Sequence, residues 1–307
     1  MPSLILEDRV TLILWLRRSR SKARALALEE VGAILEEFDC QPARGGPLSE
    51  VPGTAWVTVR RTRPSLVRAA IGSLGYTRRV GFVHFLQDDE EPAADTLRWK
   101  RRPIRLIPVY EESDSILSSR APHKRSFRLE CGDGIVRRIQ GYRGGCGLME
   151  RRALPPSDAR LLVNLLGPVR GGVLLDPYAG AGAILIEAVM AGWKGISMDI
   201  DASLRFGLHD LASSHIVASA GQIPLAALSV DGIATEPPYD ESADSVIRAS
   251  VTEMYRVLRD GARCSVMVAA RQGESLLNTA KAAGFHVVAS HPVDRKGTDV
   301  AVQLWHK

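Results

Sequence analysis

Leu174-Leu175-Asp176-Pro177-Tyr178-Ala179-Gly180-Ala181-Gly182 is the stretch that decides the fold. A short apolar strand ends in a carboxylate, two glycines punctuate the turn, and Ala183-Ile184-Leu185-Ile186 opens a helix at once. Glycines at a strand–turn–helix junction let the backbone approach a ligand at the carboxyl end of the strand, where open α/β sheets bind nucleotides. Outward from this turn, strands and helices alternate. The pattern predicts helices over residues 159–166 (capped by Ser157), 183–191, about 203–213, 244–258 and 274–283. It predicts strands over 173–175, 195–198, 216–219, 230–235, 264–269, 287–290 and 300–305. That alternation implies an α/β class: a mostly parallel, doubly wound, Rossmann-like sheet over residues 155–307. The tight connection at 291–299 predicts a terminal antiparallel hairpin.

Three strand ends carry the candidate chemistry. No Gly-Lys-Ser/Thr follows the glycine turn, which excludes a P-loop, and Asp176 would repel a pyrophosphate. A carboxylate there suits a ligand bearing positive charge, such as the amino group and sulfonium of S-adenosylmethionine. Asp199 ends the next strand and can accept hydrogen bonds from both ribose hydroxyls of an adenosine. Thr235-Glu236-Pro237-Pro238-Tyr239 ends the strand at 230–235, and two successive prolines cannot continue a central strand. They freeze the backbone, and the expected arrangement aims one side chain and two carbonyls into the cleft. An acceptor placed there draws the lone pair of a planar NH2 group out of conjugation and stabilises positive charge as a methyl group arrives. Tyr239 can stack on a base, an interaction worth about 1–3 kcal/mol. No cysteine adjoins the diproline, so direct in-line transfer is expected rather than a covalent intermediate.

Residues 157–166, Asp176-Pro177-Tyr178-Ala179-Gly180-Ala181-Gly182, Met198-Asp199-Ile200-Asp201 and Thr235-Glu236-Pro237-Pro238-Tyr239 resemble the archaeal and eukaryotic tRNA guanosine-N2 methyltransferases, over about residues 155–307. The resemblance implies S-adenosylmethionine held by Asp176, Pro177, Tyr178, Ala179, Gly180, Gly182 and Asp199, with Ser219 near the adenine. It implies catalysis at Glu236, Pro237, Pro238 and Tyr239 on guanine N2, and no metal. Members carry a ferredoxin-like plus THUMP RNA-binding region, and a small zinc-binding activator subunit is an implied partner beside tRNA. Two positions depart from the family's pattern: Glu236 stands where Asp is usual, and Ser219 where an Asp usually meets the adenine amino group. One extra methylene shifts an acceptor by over an ångström, and about 1 Å of misplacement costs on the order of 100-fold in rate. Adenine-N6 or cytosine-N4 methylation of nucleic acid also fits a Pro-Pro-Tyr motif, and a catalytically weakened RNA-binding scaffold fits the departures.

Upstream, strands at 10–16, 55–59 and 80–86 alternate with a helix whose stripe is Ala25, Leu28, Val31, Ile34 and Leu35 and a second helix over 66–71. That order suits a small split βαβ unit. The expected division is a ferredoxin-like α+β domain over 1–90, a basic reduced THUMP-like or linker region over 91–154, and the methyltransferase domain over 155–307. Through Pro155 the chain holds 27 Lys+Arg against 19 Asp+Glu, and beyond it 13 against 16. The basic part is suited to a polyanion. Its candidate RNA contacts are Arg17, Arg18, Arg20, Lys22 and Arg24, then Arg98, Lys100, Arg101 and Arg102, then Lys124 and Arg125. The four cysteines have no CxxC spacing, which argues against zinc and against a disulfide framework. No apolar run reaches membrane-spanning length and the start lacks a secretory pattern, so the expected location is the cytoplasm.

Overall fold

The structure is a computed structural model that describes residues 8–20, 22–43, 51–71, 74–86, 97–99, 102–111, 126–130, 136–140, 154–168, 171–204, 214–295 and 298–307. Contacts divide the chain into two units, Met1–Asp114 and Ser115–Lys307.

In the first unit β1 (Arg9–Leu16), α1 (Arg24–Ile34), β2 (Gln41–Pro42), β3 (Thr54–Arg60), α2 (Pro64–Ala70) and β4 (Thr77–Phe85) are followed by β5 (Leu97–Trp99) and β6 (Arg102–Glu111). The sheet order is β2-β3-β1-β4-β6-β5, and neighbouring strands are antiparallel. β3 and β4 both oppose the intervening β1, so they run parallel to each other with α2 as the crossover. This is the split unit expected from sequence, and the first four strands follow the βαββαβ order of ferredoxin-like folds. The sheet does not stop near residue 90. β6 pairs with β4 from Arg79↔Glu111 to Phe85↔Ile104, which covers an edge that would otherwise present unpaired backbone. That ladder joins segments on either side of the acidic sequence at residues 87–95, and local pattern alone does not reveal it. The α1 stripe is also corrected: Ala25 is exposed, while Leu26, Ala27, Val31 and Ile34 are buried. Glu30, fully buried on α1, accepts hydrogen bonds from the Gly75 and Tyr76 N–H groups at 2.5 and 3.0 Å and so fixes the entry to β4.

The second unit begins with a separate antiparallel pair, β7 (Ser126–Glu130) and β8 (Val136–Gln140). The other described residues between 91 and 154 are those of β5 and β6 and Leu154; the rest of the region expected to be THUMP-like lies outside the described residues. Then come α3 (Pro156–Leu165), β9 (Val173–Asp176), α4 (Ala183–Met190), β10 (Lys194–Asp199), β11 (Ser214–Val217), β12 (Val230–Thr235), α5 (Asp244–Val257), β13 (Leu258–Ala269), α6 (Ala270–Ala283), β14 (His286–Asp294) and β15 (Asp299–His306). α3 starts one residue before Ser157, with Pro155 as its cap position and Pro156 pre-set for the first turn, so no Ser157 cap is made. Most of the helix expected at 203–213 lies outside the described residues.

The strand order is β11-β10-β9-β12-β13-β15-β14. Pairing is parallel from β11 through β13, and β15 runs antiparallel between β13 and β14. Leu175, Ile233, Val266, Val268 and Trp305 form a continuous buried core, with Phe285 tilted on Trp305 at 5.2 Å. β10 and β11 lie on one side of β9 and β12 on the other, so the order reverses between β9 and β12. At such a point the chain leaves adjacent strand ends in opposite directions and opens a crevice at their carboxyl edge.

Candidate active site

β9 delivers Asp176 to that edge with 1% of its surface exposed. Its Oδ1 accepts from the Thr235 hydroxyl at 2.8 Å and from the Tyr178 N–H at 3.2 Å. Among the described residues no hydrogen bond reaches Oδ2. Burial pushes the carboxyl up to about 7, with the Thr235 and Tyr178 hydrogen bonds opposing the rise. The turn then needs glycine twice: Gly180 has φ 50° and Gly182 φ 84°, the left-handed region that side chains rarely adopt. Gly182 occupies the cap position of α4, and the Ala179 N–H is held by the Met198 carbonyl at 2.9 Å. Pro177 and Ala179 are buried, and the Tyr178 ring packs on the core.

Asp199 is bound into the same turn. Its Oδ2 accepts from the Gly180 N–H at 2.8 Å and its Oδ1 from the Asp201 N–H at 2.9 Å. The neighbouring Ile200 is 75% exposed, a large apolar surface beside two strand-end carboxylates. The Ser219 hydroxyl accepts from the Gly221 N–H at 3.3 Å. α5 pins this loop: Glu253 accepts from the Ile223 N–H at 2.8 Å, and Arg256 donates to the Ile223 and Leu225 carbonyls at 2.7 and 2.8 Å.

Thr235 joins the two halves of the site, because the residue that bonds Asp176 immediately precedes Glu236. The diproline backbone is held from α6. Gln272 donates to the Pro238 carbonyl at 3.2 Å and Arg271 to the Tyr239 carbonyl at 2.6 Å, and both residues also bind Asp244. The Pro238 and Tyr239 carbonyls are therefore both engaged by α6.

Glu236 sits in a cluster that the sequence does not reveal. Its Oε1 accepts from the Tyr239 hydroxyl and from Arg295 Nη1 at 2.7 Å, and Arg295 Nη1 also reaches the Tyr239 hydroxyl at 2.9 Å. Arg295 Nε pairs with Asp158 Oδ2 at 3.1 Å. Side-chain exposure is 21% for Glu236, 17% for Arg295 and 0% for Asp158. No donor among the described residues reaches Glu236 Oε2. Burial raises the Glu236 carboxyl above its usual range, with the Arg295 charge and the Tyr239 hydrogen bond opposing. Burial, then the Glu236 charge, pushes the Tyr239 hydroxyl up as well. The one sequence signal for Arg295 was its place in the 291–299 turn, and nothing local marks Asp158 as its partner.

The basic candidates divide. Arg17 donates to the Gly75 and Leu74 carbonyls, and the buried Arg20 lies over the Tyr76 ring at 5.4 Å; Arg18, Lys22 and Arg24 are exposed. The backbone of Arg98 and Arg102 belongs to β5 and β6, while Lys100, Arg101, Lys124 and Arg125 lie outside the described residues. An open groove of about 470 Å³ in the first unit is lined by Arg61, Thr62, Arg63, Ser65 and Leu66, none of them among the candidate RNA contacts. Among the described residues no group of His, Cys, Asp and Glu is placed to hold a metal ion, and no helix is long and apolar enough to cross a membrane. Cys264 is fully buried and its thiol is pushed up by that burial.

The arrangement fits a cationic adenosine derivative. Asp176 offers an oxygen that no hydrogen bond from the described residues reaches, Asp199 stands at the adjacent strand end, and residues 174–183, 198–201, 217–222 and 235–239 contain no Lys or Arg to hold a phosphate.

The chain is similar to proteins named as tRNA methyltransferases. The chain is 32% identical over 120 residues to a tRNA (guanine(10)-N2)-dimethyltransferase of Methanothermobacter thermautotrophicus, covering 37% of this chain and 35% of that protein. It is 38% identical over 116 residues to a Methanothermococcus thermolithotrophicus protein named "Probable tRNA (guanine(10)-N2)-dimethyltransferase", covering 33% of this chain and 70% of that protein. The chain thus spans about a third of the first relative's length and about seven tenths of the second's. The crystal structure of TrmN from Thermus thermophilus aligns over 97% of this chain and 99% of its own, at 14% identity and a TM-score of 0.48. No family model matches the sequence.

Proposed function

The chain belongs to the tRNA guanine-N2 methyltransferase family, and from that premise we propose that it methylates the exocyclic N2 of a guanine in tRNA, using S-adenosylmethionine. The observation that supports this most is the Thr235 bridge, which locks the Asp176 turn and the Glu236 diproline to each other at adjacent strand ends. In this reading Asp176 Oδ2 receives the ligand's ammonium, Asp199 the ribose hydroxyls, Ser219 the adenine amino group, and Ile200 supplies an apolar face for the adenine. When bound, S-adenosylmethionine supplies an electrophilic methyl group.

Glu236 Oε2 accepts a hydrogen bond from the guanine NH2, which frees the nitrogen lone pair and stabilises the charge that develops on it. Tyr239 combines two tasks: its hydroxyl anchors Glu236 while its ring offers a stacking face. The target base must leave its stack, at a cost of a few kcal/mol that tRNA contacts offset. The relatives' names carry guanine 10 and dimethylation, which are the first position and product to test. The partners in this reading are tRNA and the small zinc-binding activator subunit that the resemblance implies, and the location is the cytoplasm. The test is incubation of total unmodified tRNA with the cofactor, then mass spectrometry of the nucleosides. N2-methylated guanosine is expected; N6-methyladenosine or N4-methylcytidine would move the chain to the neighbouring chemistry, and no product would favour a scaffold.

Two further outcomes belong to this reading. Ionised Asp176 is the form that binds a cation, and its carboxyl titrates at about 7, so acid should weaken cofactor binding. Between pH 7.5 and 5.5, where an α-amino group is mostly protonated, the calorimetric Kd should rise toward about tenfold per pH unit. A Kd independent of pH over that range would argue against ammonium binding at Asp176. For tRNA, replacing Arg18, Lys22 and Arg24 together by glutamine should weaken binding and flatten the log K against log salt slope by about one for each phosphate no longer neutralised. An unchanged slope would remove these residues from the interface.

A further inference from the structure

We propose that Arg295, presented by the β14–β15 hairpin, is a positioning residue: it clamps one oxygen of Glu236 and leaves the other for the substrate amine. The inference rests on the methyl-transfer reading for its purpose, although its geometry stands independently. A glutamate has one more rotatable bond than an aspartate, and a free carboxylate at the end of a proline-braced strand would sample several orientations. Here Oε1 is held twice, by Arg295 Nη1 at 2.7 Å and by the Tyr239 hydroxyl, while no hydrogen bond from the described residues reaches Oε2. Arg295 is itself fixed from behind. Its Nε pairs at 3.1 Å with Asp158, which is fully buried on α3, and a planar guanidinium held through separate nitrogens cannot turn without losing one partner. Three segments remote in sequence therefore converge on a single carboxylate: α3, the end of β12 and the terminal hairpin.

The same guanidinium sets the charge state. Arg295 from the hairpin, Tyr239 from the diproline loop, Asp158 from α3 and Asp176 from β9 are the titratable groups that act on Glu236. Arg295 is the cation in that set. Without it, three carboxyl groups share a partly buried region, and like charges disfavour ionisation. Glu236 would then hold a proton at a pH where it must accept a hydrogen bond.

The test is a 13C NMR titration of glutamate side-chain carboxyls in the full chain, with the Glu236 signal assigned by its disappearance in Glu236→Gln. In Arg295→Met the Glu236 midpoint should rise by about one pH unit or more. Arg295→Gln loses the charge while keeping an NH2 donor on a shorter arm; it should show the same rise and guards against a methionine variant that fails to fold. Arg295→Lys should bring the midpoint back toward wild type. In methylation assays the acid limb of the kcat profile should move by the same amount in the same direction, while cofactor Kd at pH 7.5 stays unchanged. A Glu236 midpoint identical in wild type and both neutral variants would overturn the clamp. A wild-type chain that methylates no tRNA, with the midpoint still moving, would overturn the methyl-transfer reading and leave the clamp standing.

Discussion

Replacing Glu236 with alanine should reduce single-turnover methylation of tRNA by at least about 10²–10³-fold, the effect of removing one preorganised polar group that acts only as charge develops. The frame should survive the change. Pro237 stays buried, α6 still grips the Pro238 and Tyr239 carbonyls, and Arg295 keeps Asp158 as its partner. Cofactor affinity should be preserved, because the Asp176 turn bonds Thr235 rather than Glu236. Glu236→Asp separates length from charge. The shorter carboxylate withdraws from Arg295, and a misplacement of about 1 Å costs on the order of 100-fold. Turnover that is unaltered in Glu236→Ala would refute the assigned role.

Asp176→Asn should weaken S-adenosylmethionine binding by about 10–150-fold, the equivalent of roughly 1.5–3 kcal/mol for a hydrogen bond to a charged group. The amide keeps an oxygen for the Thr235 hydroxyl and the Tyr178 N–H, so the turn should hold its shape while the charge that meets the ammonium is gone. The same substitution removes the group that titrates at about 7. The Kd of Asp176→Asn should therefore be flat between pH 5.5 and 7.5, where the wild-type value rises in acid. A variant that binds as tightly as wild type, or that retains the acid dependence, would place the ligand's amino group elsewhere.

Much of the second unit was legible because periodicity and punctuation agree there. The strand at 230–235 matches β12 at both ends, and the glycine turn after Asp176 reads directly as a left-handed backbone at Gly180 and Gly182. In the first unit the split βαβ order was also readable, but β2 is two residues long and leaves no pattern. β6 joins the first sheet only through long-range pairing with β4, which composition disguises as a linker. In the site, strand-end residues could be identified since position along a strand fixes them. Arg295 and Asp158 could not, because a hairpin arginine and a helical aspartate are ordinary surface residues until tertiary packing brings them to 3.1 Å with the aspartate fully buried. Ile200 was readable in principle, as an apolar residue directly after a strand-end carboxylate. Arg17 and Arg20 show the converse: a run of arginines reads as a polyanion surface, yet these two serve the fold by binding the backbone and ring ahead of β4.

The geometric claim beneath all of this is that Asp176 and Glu236 face one shared cleft, the first holding the methyl donor and the second the amine that accepts the methyl group. Its most direct measurement is a crystal structure of the chain with S-adenosylhomocysteine and a guanosine-containing tRNA fragment. The predicted result places the ligand's amino group on Asp176 Oδ2, its ribose at Asp199, and the guanine N2 hydrogen-bonded to Glu236 Oε2. The transferable methyl position would then lie about 3–3.5 Å from that nitrogen. A ligand bound away from the β9–β12 crevice, or a guanine N2 out of reach of Glu236, would contradict the account.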